Sequence, residues 1–153
     1  MSNIYKYLLL FQPILGSFLV NLFMNKFPKK WYSNLTQSPL TPPGYIFGPV
    51  WTILYILLGL NAYRIYQKSN DFLNSYFPIY EAQLLLNFSW SFAFFHFQKP
   101  KISLLINFLM IILTIFLLFQ SWKIDKKAFY YLIPYFIWIS FAAYLNFYIV
   151  IKN

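Results

Sequence analysis

Five stretches of the chain run free of charged residues for about the thickness of a bilayer. Residues 7–25 hold 19 uncharged positions, 43–63 hold 21, 82–98 hold 17, 102–122 hold 21 and 128–151 hold 24. A helix that crosses the hydrocarbon core needs about 20 residues, with a working range of roughly 17 to 25. The pattern predicts transmembrane helices over 5–25, 43–67, 78–98, 101–122 and 127–151. The third run is the shortest, but Pro78 suits a first helical turn, and Glu81 then lies near the headgroups, where a carboxylate stays solvated. A closed barrel would alternate polar and apolar positions, whereas LLINFLMIILTIFLLF at 104–119 reads as apolar all round. The expected fold class is all-α integral membrane: a five-transmembrane-helix bundle forming one domain over 1–153.

Three of the four connections are short, which makes sequential helices antiparallel neighbours. The exception is KFPKKWYSNLTQSPLTP at 26–42, 17 residues too polar to cross a membrane yet carrying Trp31, Tyr32 and Leu35. A long loop with aromatic anchors predicts a lid over a binding site. Pro42 and Pro43 end it in an extended conformation, and Gly44 and Gly48 are expected to permit close backbone approach. Pro49 lacks an amide hydrogen, so the second helix should begin irregularly, and such backbone is tolerated at membrane depth where it borders a cavity.

Composition strengthens the membrane reading. The chain is 60% hydrophobic, 25% aromatic and only 10% charged, against roughly 45–50% apolar and about 25% charged in soluble domains. The net charge of +9 does not point to nucleic acid, because the basic residues sit in short groups at helix ends beside aromatics, as contacts with anionic lipid headgroups require. Lys6, Arg64, Lys68, Lys123, Lys126 and Lys127 fall on the side of the N-terminus, and Lys26, Lys29, Lys30, Lys99, Lys101 and Lys152 on the other. That tie leaves the positive-inside rule silent. The first span lacks a small-residue cleavage pattern and is expected to stay in the chain. With no cysteine, disulfides and thiolate metal sites are excluded.

Three helices present aromatic faces with polar members. Phe47, Trp51 and Tyr55 recur every fourth residue on the second; Gln83, Asn87, Trp90 and Phe94 form a polar then aromatic stripe on the third; Pro134, Trp138, Ala142 and Leu145 share a face of the fifth. Each stripe alone could be ordinary interhelical packing, with Asn and Gln bonded across the bundle. Their convergence predicts a pocket for a flat apolar ligand: indoles and a phenol supply π surfaces and donors, Ala142 leaves room, and Asn87 and Gln83 can meet ligand carbonyl or carboxylate groups. His96 could ligate haem iron only in principle and reads as interfacial, as do Glu81 and Asp125, while Asp71 falls in a loop. No nucleophile lies at useful spacing from a base, no Gly-rich phosphate loop occurs, and no metal or other cofactor is expected.

At these residues the chain resembles the translocator protein family, also called TspO/MBR or the peripheral-type benzodiazepine receptor. The resemblance rests on WYSNL (31–35) followed by SPLTPP (38–43), FGPVWTILYILLG (47–59), QLLLNFSWSFAFF (83–95) and PYFIWISFAAYLN (134–146), four motifs in order over most of the chain. It implies a five-helix bundle in the membrane, in a bacterium the cell membrane, with a pocket roofed by the first loop. It also implies binding of porphyrins such as protoporphyrin IX and of synthetic isoquinoline carboxamide and benzodiazepine-type ligands; the family's animal mitochondrial members bind cholesterol. Ligand-facing family positions fall on Trp51, Asn87, Trp138, Ala142 and Leu145, with Tyr32 in the lid. Leu145, Tyr148 and Lys152 also fit a permissive cholesterol-contact pattern.

A homodimer is common in the family, but this chain keeps only Gly16 of the denser glycine pattern on the first helix, and Ser38 replaces the lysine of a common Lys-Pro pair in the lid. Three functions follow as expectations. The first is a receptor or carrier for porphyrin. The second is light- and oxygen-requiring porphyrin degradation in which Trp51 and Trp138 donate electrons. The third is a structural or partner-binding protein whose aromatics only pack.

Overall fold

Helices begin and end where charges and prolines interrupt the apolar runs. The computed structural model describes residues 2–24, 30–69 and 75–153, and every regular element among them is helical. These are α1 (Ser2–Met24), α2 (Lys30–Ser33), α3 (Gly44–Ser69), α4 (Tyr76–Ser91), α5 (Pro100–Ile124) and α6 (Lys126–Lys152), with a π-helical turn, Phe92–His96, continuing α4. α1, α3, α5 and α6 are long and apolar enough to cross a membrane. α4 has 16 residues before the π turn takes over. The lid, expected as a loop over 26–42, contains the single turn α2; residues 25–29, and Asp71 in 70–74, lie outside the described residues.

Packing follows a ring: α1 against α3, α3 against α6, α6 against α5, α5 against α4, with a lighter seam between α4 and α1. The α1–α3 contact depends on Gly59, where a Cβ would sit 2.1 Å from the carbonyl oxygen of Leu10, so only a glycine lets the two backbones approach. A Cβ on Gly16 would likewise meet the Phe88 ring at 2.4 Å. Gly44 and Gly48 do not play the expected role. Nothing lies within 4 Å of a Cβ built on either, because α1 does not close against this first part of α3 and the space in front of them is open.

The half of the bundle away from the lid is solid. Leu58, Ile65, Tyr80, Leu117, Leu132 and Ile139 are fully buried there. Asn61 ties four helices at this end: its amide donates to Ala128 O at 2.9 Å and Ser121 Oγ at 3.2 Å, and the Tyr76 hydroxyl donates to its oxygen. α5, which the sequence presented as uniformly apolar, buries Ser103, Asn107, Met110, Thr114, Leu117 and Ser121. Those spacings of 4, 3, 4, 3 and 4 trace an inward seam of mostly small or polar side chains.

Asp125 alone separates α5 from α6. Its extended backbone breaks the rod, and its carboxylate accepts from Lys127 N at 3.2 Å, capping α6. Burial alone would push that carboxyl up, but hydrogen bonds from Arg64, whose Nε lies 2.5 Å from Oδ2, and from Lys127, with the nearby positive charges, hold it below its ordinary value.

Candidate functional site: an aromatic cavity beneath the lid

The lid-side half of the bundle is hollow. A cavity of about 480 Å³ lies between α3, α4, α5 and α6, with α1 along one side and the lid above. Its size falls within the ~300–1,000 Å³ typical of small-molecule sites. Trp51 stacks on Tyr55 (centroids 5.5 Å apart, planes at 26°) and meets Trp138 at a right angle (6.5 Å, 89°); Phe47 packs edge-on to Trp138 at 5.9 Å. The spacing of four on α3 places Phe47, Trp51 and Tyr55 on one wall, and on α6, which runs unbroken through Pro134, Trp138 lies one turn further along the chain.

Polar groups on the walls belong to two networks. In the first, Tyr55 OH donates to Asn87 Oδ1 at 2.6 Å and Asn87 Nδ2 donates to Tyr135 OH at 2.9 Å. In the second, Asn146 Oδ1 accepts from Trp90 Nε1 (3.2 Å), Ser103 Oγ (2.8 Å) and Asn107 Nδ2 (3.3 Å), while Asn146 Nδ2 donates to Pro100 O at 2.9 Å. Trp90 is thus held as a wall. Trp138 is not: its Nε1 is buried and has no hydrogen-bond partner among the described residues. A donor desolvated without an acceptor is costly, and a ligand carbonyl in the cavity would satisfy it.

Of the ten ligand-facing residues expected from the sequence, Tyr32, Phe47, Trp51, Tyr55, Asn87, Trp90, Trp138, Ala142 and Leu145 line the cavity. Gln83 does not. One helical turn deeper on α4, it is fully buried and donates to the Tyr135 hydroxyl beneath the cavity floor. The sequence reading missed Asn107, Met110 and Asn146, and on α1 Ser17 and Asn21, all of which line the cavity. An asparagine inside an otherwise apolar run was the available signal, since such residues turn inward to find partners.

Among the described residues no charged side chain lines the cavity, so these walls suit a neutral, flat body with a few acceptors rather than an ion. Ser38, standing where the family resemblance led one to look for a lysine, is buried and shares a 3.0 Å hydrogen bond with Tyr144 OH. His96 is exposed at the end of the π turn. Among the described residues no three His, Cys, Asp or Glu side chains converge.

The lid is pinned at several points. Asn153 accepts from Thr36 N at 2.8 Å and donates to Thr36 O at 3.1 Å; Gln37 Nε2 donates to Tyr32 O at 3.0 Å. Tyr32 sits edge-on to both Phe94 (5.9 Å) and Phe95 (5.8 Å). The π turn makes this possible: Phe97 N–H bonds to Phe92 O, five residues back, and the widened turn presents adjacent phenylalanines to the same ring. Burial pushes the Tyr32 phenol up, keeping it a neutral donor. Below the lid, Gly44, Gly48 and Thr52 are exposed yet line the cavity opposite Ser17 and Asn21, leaving its flank open between α1 and α3.

Comparisons with known proteins agree with this architecture. The model of the TspO/MBR family matches residues 9–151. The chain is 35% identical to the tryptophan-rich protein TspO of Chlorobaculum tepidum over 130 residues, 82% of each chain. It is 31% identical to the tryptophan-rich sensory protein of Cereibacter sphaeroides over 120 residues (78% of this chain, 75% of the relative), and 30% identical to the bovine translocator protein over 142 residues (88% and 82%). A family match over nearly the whole length, on a helical membrane protein with these wall residues, identifies the chain as a member of the TspO/MBR family.

Proposed function

We propose that the protein is a five-span membrane receptor or carrier that takes a flat, largely apolar tetrapyrrole such as protoporphyrin IX into the cavity beneath the lid. α4 with its π turn covers 76–96, a length sufficient for a fifth crossing. The observation that carries the reading is the pair of perpendicular indoles, Trp51 and Trp138, on the wall of a cavity to which no described residue adds a charge. A macrocycle lies against one indole face and meets the edge of the other, while its carboxylates remain at the open flank, where desolvation is avoided. Isoquinoline carboxamide and benzodiazepine-type ligands fit the same logic, their carbonyl accepting from Trp138 Nε1. Titration with protoporphyrin IX, followed by the porphyrin absorption band, should saturate. Replacing Trp51 and Trp138 together with Phe should weaken it at least about tenfold, and unchanged affinity would overturn the assignment.

A second reading, oxidative degradation of bound porphyrin under light and oxygen, is favoured by the same indole contact, since a tryptophan yields an electron where a phenylalanine does not. Trp138→Phe then keeps porphyrin bound but abolishes its light-dependent loss. Loss at the same rate with an unrelated membrane protein would reduce it to photobleaching.

A further inference from the structure

A second concavity lies on the outer side of the lid, backing onto the aromatic cavity at Ile149, between α2, the start of α5 and the end of α6. It holds about 470 Å³ and is walled by Trp31, Ile102, Ile149 and Val150, with Lys99 and Lys101 on its rim. We infer that this crevice seats one anionic phospholipid, its phosphate between Lys99 and Lys101 and the first methylenes of its chains against the apolar wall. The inference does not depend on the porphyrin reading.

Charge complementarity selects the occupant. Lys99 and Lys101 flank Pro100 at the first turn of α5 and are exposed, and their ammonium groups make no hydrogen bond, ion pair or ring contact with a described residue. At the other end of the bundle three of the cations are engaged: Lys123 lies 4.1 Å over the Phe119 ring and Lys126 4.9 Å over Trp122, while Arg64 pairs with Asp125. Among the described residues the only carboxylate side chains are Glu81, bonded to Gln12 at 2.6 Å, and Asp125, and neither lines the crevice. Two unneutralised cations beside an apolar wall at a helix end match a headgroup phosphate attached to acyl chains. A zwitterionic headgroup would bring a third cationic group to a rim already doubly positive. The volume accommodates a glycerol phosphate and the start of its chains, with the rest lying along the exposed α5 surface. Trp31 at the crevice also packs on Phe94 (5.4 Å), which stacks on Trp90 (5.0 Å), so the lipid bears on the lid from outside.

The test uses the full chain in detergent, with palmitoyl-oleoyl phosphatidylglycerol (POPG) and phosphatidylcholine (POPC) added separately and retained lipid counted by native mass spectrometry. One POPG per chain should be retained in preference to POPC. Lys99→Gln with Lys101→Gln should weaken that retention at least about tenfold, whereas Lys123→Gln with Lys126→Gln, an equal charge loss at the far end, should leave it unchanged. The proposal fails if both double variants lose lipid equally, if POPC is retained as well as POPG, or if soluble glycerol 3-phosphate at matched concentration displaces POPG.

Discussion

Replacing Trp138 with Phe should move stability and ligand affinity in opposite directions. The indole N–H is buried without an acceptor among the described residues, and relieving such a donor is worth about 1–3 kcal/mol. Phe removes roughly 40 Å² of ring surface, about 1 kcal/mol at ~25 cal/mol per Å², and less here because Trp138 is only partly buried. Its contacts with Phe47 and Trp51 are edge-on and survive in a smaller ring. The ligand-free protein should therefore be unchanged or more stable by up to about 2 kcal/mol. A ligand that satisfies the N–H loses one hydrogen bond, about 0.5–1.5 kcal/mol, so affinity for a carbonyl-bearing isoquinoline carboxamide should fall roughly 2- to 13-fold. Unfolding in mixed micelles and a binding titration measure the two quantities. A variant destabilised by more than about 2 kcal/mol, or one that binds the carboxamide as tightly as the parent, would refute the account of the unpaired donor.

Asn146→Ala strips one acceptor from three donors, Trp90 Nε1, Ser103 Oγ and Asn107 Nδ2, and should cost about 2–4 kcal/mol in the same unfolding assay. Gly48→Leu adds a side chain where nothing lies within 4 Å; stability should hold or rise by about 0.5–1 kcal/mol, while stopped-flow association of protoporphyrin IX slows as the flank between α1 and α3 narrows. For Asp125, the folded-state pKa is depressed, chiefly by Arg64 working against burial. Its stabilising effect is therefore present above the unfolded value of about 3.9 and lost as pH falls through the folded value. The stability gap between the parent and Asp125→Asn should be widest near neutral pH and close as the pH falls below the ordinary carboxylate range; a gap independent of pH would remove the ion pair from the account.

Much of this was legible in the sequence because lipid imposes simple rules. Charges and prolines mark helix ends, and the expected bounds of the first, second, fourth and fifth spans fall close to α1, α3, α5 and α6. The stripe Phe47, Trp51, Tyr55 was readable because large aromatics repeat at helical spacing. The seam on α5 repeats as regularly, but its Ser, Asn and Thr members are diluted in leucine and isoleucine, and the run looked uniform. Glycines misled in another way. Gly44 and Gly48 carry the same lack of a side chain as Gly59, yet only Gly59 faces a neighbouring backbone, and what a glycine faces is set by tertiary packing. Gln83 shares a face with Asn87 but sits one turn below the cavity floor, a depth that periodicity does not encode. The clasp between Thr36 and Asn153 joins residues 117 apart in sequence, beyond the reach of any local pattern.

The proposed function requires a flat guest to occupy the space between the indoles. Ala142 borders that space, so Ala142→Trp fills it with a ring while leaving Trp51 and Trp138 in place. Titration of this variant with protoporphyrin IX, followed by porphyrin absorption, should show no saturable binding although its unfolding transition matches the parent. Binding of undiminished affinity in a folded Ala142→Trp protein would contradict the account.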